Sequence, residues 1–121
     1  MIPTSLRLNG ITRCDRHEMI ARVEEAVLKA GGFIVDFQMF SNLSICLNFE
    51  IAAGRIGDLA GALDATELGL TEASRERLAD CSKRAEQLSA EDGASEIEGT
   101  LEITFIHNEP DLRIEAPPIP G

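Results

Sequence analysis

The chain has no tryptophan and no tyrosine, and its only aromatic rings are five phenylalanines. Stacking surfaces for bases are built from such rings, so a base-stacking role is not expected. Positive charge is also scarce: 11 basic residues stand against 21 acidic ones, for a net charge of −10. An acidic chain repels phosphate backbones and anionic lipid headgroups, so neither nucleic acid nor a membrane is expected as a partner. The three cysteines are widely separated. An odd, scattered set does not build a disulfide framework and fits a reducing compartment. No apolar run approaches membrane-span length, and "MIPTSLRLNG" lacks the apolar centre of a signal peptide. These absences together lead us to expect a soluble cytoplasmic protein.

The 121 residues are expected to form one domain. Leu6 and Leu8 alternate with polar neighbours in "TSLRLNGIT", which predicts a strand. From Asp15 to Ala30, apolar residues recur at Ile20, Val23, Val27 and Ala30, the spacing of one helix face. Gly31 and Gly32 end that helix, as glycine does past a C-terminus. Phe33–Phe40 and Ser44–Ile51 are predicted strands with a link short enough for a hairpin. In the second, Ile45, Leu47, Phe49 and Ile51 alternate with Cys46, Asn48 and Glu50, the pattern of a sheet with one buried and one wet face.

Gly54 opens a second helix carrying Ile56, Leu59, Ala60 and Leu63. A third, "TEASRERLADCSKRAEQLS" from Thr71, has the stripe Leu78, Cys81, Ala85 and Leu88 on an otherwise charged surface. "SAEDGASEIEG" is acidic and glycine-bearing and is expected to be a flexible linker. Thr100–His107 is a strand, "NEPD" a turn, Leu112–Ala116 a short fifth strand and "PPIPG" an extended tail at 117–121. The segment 64–98 is treated as an insertion of helix and linker. Without it the order is βαββαβ. Right-handed crossovers then predict an α+β, ferredoxin-like sandwich of strand order 4-1-3-2, with both helices on one face and an extra helix before the last core strand. Asp36, Gln38, Cys46, Asn48, Glu50 and Glu102 would share its open, polar face.

The segment "ITRCDRHEMIARV" sets the candidate site. Asp15 and Glu18 have capping-box spacing, with Asp15 accepting from an early backbone N–H and Glu18 reaching back. Both carboxylates suit the positive end of the helix. Cys14 and His17 form a C-x-x-H pair, but two ligands are too few for a stable structural metal site, and Cys46, Cys81 and His107 are scattered. No metal or cofactor is expected. Nothing in the sequence places a cysteine or serine beside a base held by a third group, and "AAGRIGDLAG" has no P-loop lysine. An enzyme is not expected.

Asp15-Arg16, Ala21 and Val23, followed by "AGGFIVDFQ", resemble the opening of an ACT domain, a small regulatory ligand-binding module. The family segment runs as a strand, then D-R-P-G-x-x-A-x-V, then glycine and a hydrophobic strand. The resemblance spans about Leu6 to Leu63 plus the strand at Thr100, and departs where His17-Glu18 replaces Pro-Gly. It implies the ACT-type version of the ferredoxin-like fold. It also implies a regulatory or sensor module that binds a small metabolite, an amino acid being one candidate, at the first strand–helix loop and a dimer interface. The ligand-binding candidates are Arg13, Cys14, Asp15, Arg16, His17 and Glu18, with Arg16 best equipped for a two-point grip on a carboxylate. The alternative is a protein-interaction module that modulates a partner enzyme without a ligand of its own. A homodimer is expected, by sheet-edge pairing at Phe33–Phe40 or by helix packing, because a bare edge and an extra amphipathic helix both need cover.

Overall fold

A computed structural model describes residues 5–41 and 43–106. The expected turn after His107, the strand at 112–116 and the tail at 117–121 lie outside them. Five strands form one mixed sheet: β1 (Ser5–Thr12), β2 (Phe33–Ser41), β3 (Ser44–Ala52), β4 (Gly69–Leu70) and β5 (Glu96–Phe105). The helices are α1 (Arg16–Lys29), α2 (Ile56–Asp64), α3 (Glu72–Ala85) and the single turn α4 (Ala90–Gly93), with a 3-10 turn at Ala53–Arg55 leading into α2. The fold class is α+β. No helix among the described residues is long and apolar enough to cross a membrane.

The strand order is β2-β3-β5-β1-β4, which corrects the expected 4-1-3-2. The last long strand is central: β5 pairs in parallel with β1 and antiparallel with β3. The cause is α3. A ferredoxin-like chain crosses the layer once between its third and last long strands, by a single helix. Here α2 rises, β4 turns back beside Gly10 and Ile11, and α3 descends along β1, with Ser74 beside Asn9 and Arg77 beside Arg7. The added traverse reverses the chain, so β5 enters running the same way as β1 and slots between β1 and β3. What looked like an insertion therefore sets the topology.

The expected linker is also corrected. Ser89 caps α4 by accepting from the Asp92 N–H at 3.1 Å, and β5 begins at Glu96. Ile97 and Gly99 face the core, while Glu96 and Glu98 face away. The alternation of a half-buried strand was present, with glutamate as its polar half.

One face of the sheet carries the core. Leu6 and Leu8 of β1, Ile45, Leu47, Phe49 and Ile51 of β3, and Ile97, Leu101, Ile103 and Phe105 of β5 meet Met19, Val23 and Val27 of α1 and Ile56, Leu59 and Leu63 of α2. Each such side chain contributes about 1.5–3 kcal/mol by leaving water. α3 buries Leu78, Cys81 and Ala85 against α2 and β1, so its apolar stripe is covered by the chain's own core. The other face is polar and partly exposed, and Thr100 Oγ1, Asn48 and Asp36 form a hydrogen-bonded row across three strands at 3.1 and 2.6 Å.

Candidate functional site

The parallel strands β1 and β5 finish at the same end of the sheet, where α1 begins. Asp15 caps α1: its Oδ2 accepts from the Glu18 N–H at 3.1 Å. The second half of the expected capping box is absent, because the Glu18 carboxylate turns instead to Arg22, one turn further along.

Arg22 organises this end of the molecule, a role that no local pattern around it signals. Its Nη1 donates to the Thr66 carbonyl at 3.2 Å and to Cys14 Sγ at 3.7 Å, and lies 3.5 Å from Glu67 Oε1. One guanidinium thus joins the β1–α1 loop, α1 and the α2–β4 loop. The Glu18 carboxylate beside it raises the Arg22 pKa further. The α2–β4 loop is fixed from its other side too: the Thr66 hydroxyl donates to the Leu63 carbonyl at 2.6 Å and accepts from the Leu68 N–H at 3.1 Å. Glu67, held between these contacts, has φ 69°, a left-handed conformation that costs a side-chain-bearing residue energy.

Between the two loops opens a cleft of about 420 Å³, within the size range of small-molecule sites. Ile11 and Ile106 supply apolar walls, with Thr12 and Cys14 beside them. Arg13 and Glu67 bring opposite charges to it. Of the six residues expected to bind a ligand, Arg13 and Cys14 line this cleft, and Asp15, Arg16, His17 and Glu18 do not. Asp15 and Glu18 are engaged in the cap and the Arg22 ion pair. The Arg16 guanidinium lies over the Phe105 ring, 5.4 Å from its centroid, a cation–π distance. His17 is exposed on α1. Among the described residues no group of three or more His, Cys, Asp or Glu side chains could hold a metal ion.

A second surface lies along β2, whose outer edge pairs with no other strand among the described residues. Phe33, Val35, Phe37, Met39 and Phe40 on it are all exposed, Phe40 by 60%. The opposite edge is treated differently. The β1 backbone at Asn9 is bonded by Ser74 Oγ and the Thr71 N–H, and the Arg7 carbonyl accepts from Arg77 Nη1 at 2.9 Å.

On the polar face, burial of the Glu50 carboxyl, with Glu96 and Glu98 close by, pushes its pKa up. Burial likewise raises the thiols of Cys46 and Cys81, and all three cysteines are free.

No protein-family model matches the chain, and neither a curated protein nor a solved structure matches it.

Proposed function

We propose that the chain is a regulatory module that binds a small zwitterionic metabolite, an amino acid being the simplest candidate, in the cleft between the β1–α1 and α2–β4 loops. The observation that carries this reading is that Arg13 and Glu67 line one small-molecule-sized cleft together with the apolar Ile11 and Ile106. A guanidinium grips a carboxylate through two parallel hydrogen bonds, a carboxylate receives an ammonium group, and Ile11 and Ile106 meet an apolar side chain. The position fits as well: ligands of sheets with parallel strands sit beyond the strands' carboxyl ends. The Arg22 contacts hold the two loops together before any ligand arrives, which lowers the ordering cost of binding.

The test is a thermal-shift screen with amino acids and with analogues lacking the amino or the carboxyl group. A ligand at 100 times its dissociation constant adds about 2.7 kcal/mol, roughly 10 °C at about 4 °C per kcal/mol. The intact zwitterion should shift the midpoint, either truncated analogue should shift it less, and Arg13→Ala should abolish the response. A flat screen would sink the reading.

A second reading, an interaction module without its own ligand that acts on an unlike partner, is favoured by the exposed apolar edge of β2. An extended segment adding to that edge would gain main-chain hydrogen bonds and side-chain pockets together.

A further inference from the structure

The backbone of β2 has a fixed polarity. In the antiparallel ladder of β3 with β5, Leu43 accepts from the Phe105 N–H and Ser95 accepts from the Ala53 N–H, both at 2.8 Å. Odd-numbered residues of β3 therefore bond to β5, and even-numbered ones turn toward β2. Their partners Asn48↔Asp36 and Cys46↔Gln38 fix the inward-turned residues of β2. Phe37 and Met39, between and beyond them, direct their N–H and C=O groups outward. Their side chains share the helix-side face with Leu47 and Ile45, their cross-strand neighbours, yet both remain exposed. Over Asp36–Met39 the register is regular, with irregularities only on either side.

We infer that a second copy of this chain pairs with β2, antiparallel and centred on Phe37, joining two five-stranded sheets into one of ten. Charge selects this occupant and this register. The chain carries 21 acidic residues, but β2 holds only Asp36 and no basic residue, so two copies meet along this strand with little repulsion. The outward backbone groups of Phe37 and Met39 allow a few registers. One step one way sets Asp36 against its own copy, a repulsive pair. Centring on Gln38 sets Asp36 against an apolar Phe40. Centring on Phe37 sets each Asp36 beside the other copy's Gln38, an amide that can donate to the carboxylate, twice per dimer. Phe37 then lies opposite itself on the helix-side face, an aromatic cross-strand pair.

The inference is independent of the ligand in the cleft, and sedimentation velocity over a concentration series tests it. The wild-type chain should pass from monomer to dimer. Gln38→Lys places two opposite-charge pairs in the interface and should tighten the dimer by about two- to thirty-fold, while Gln38→Glu should loosen it. Gln87→Lys, the same charge added at an exposed site away from the edge, should leave it as in wild type. Phe37→Lys should leave only monomer. Any of several outcomes overturns the inference: a dimer that survives Phe37→Lys, a Gln38→Lys chain loosened as much as Gln38→Glu, or a wild-type monomer throughout. In the last case amide exchange separates the remaining occupants. Slow exchange at Phe37 and Met39 would assign the edge to the chain's own residues 107–121. Fast exchange would leave it to an unlike partner, and the second reading above would survive without the dimer.

Discussion

Gly99 is a place where one methyl group should be felt by the whole domain. It lies on the core face of β5, directly across from Phe49 of β3. A Cβ built at Gly99 would sit 2.1–2.6 Å from three atoms of the Phe49 ring, well inside contact distance. The ring is 2% exposed and packed within the core cluster, so giving way to a new methyl group means displacing its neighbours. Its φ is outside the left-handed region, so Gly99→Ala isolates the steric effect from backbone strain. Overpacking of this kind costs about 1–3 kcal/mol, a midpoint drop of roughly 4–12 °C. Because the chain has no Trp or Tyr, urea unfolding is best followed by far-ultraviolet circular dichroism. The companion variant Phe49→Leu should itself be destabilising, since it removes ring volume from the core. The double variant should be more stable than the two losses added together, by about 0.5–3 kcal/mol, because each change relieves the other. If Gly99→Ala unfolds at the parent's urea concentration, or the two losses simply add, the ring does not rest on Gly99 and this account of the β3–β5 core is wrong.

Three further outcomes are expected. Asp15→Ala removes the α1 cap and should cost about 0.5–2 kcal/mol in urea unfolding, whereas Cys14→Ser, at a half-buried thiol, should cost little. Glu50 holds its proton more tightly folded than unfolded, so its contribution to stability falls as pH rises through the carboxylate range and recovers on acidification. Glu50→Gln should therefore raise the melting temperature at neutral pH, with the gap closing as the pH falls through that range; a gap that persists in acid would show the effect is not ionisation. Arg22→Ala frees the α2–β4 loop from α1 and should speed amide exchange at Glu67 and Leu68 while leaving the β3–β5 amides protected, and uniform deprotection would contradict the local role given to it.

Much of this architecture was legible in the residues, and the misreadings share a cause. Periodicity marked β1, β3 and α1 because their apolar residues repeat with the period of a single buried face, and Gly31, at φ 87°, ends α1 where the double glycine indicated. The start of β5 was hidden because its outward positions are glutamates, which read as solvated linker when Ile97 is the lone inward apolar side chain beside Gly99. The strand order is not written in local periodicity, because α3 crosses the layer and reverses the direction of everything after it. At the candidate site, Asp15 was readable because a cap is local. Arg22 was not: its carbonyl partner at Thr66 is 44 residues away, and no local pattern records such a contact.

The central position of β5 has a kinetic side. Ser5 pairs with Glu98 and Thr12 with Phe105, so β1 finds its main neighbour only after about ninety further residues have been made. Until then β1 and the inner edge of β3 lie open, and the β2–β3 hairpin and α1 have only part of a sheet to pack on. Long-range parallel pairing of this kind folds slowly and exposes strand edges while it waits. Synthesis from the N-terminus therefore completes the described sheet from the middle: its keystone strand is the last of the described strands to arrive, and a chain cut short before Glu96 loses the centre of the sheet, leaving β1 and the β2–β3 hairpin without the strand that pairs with both.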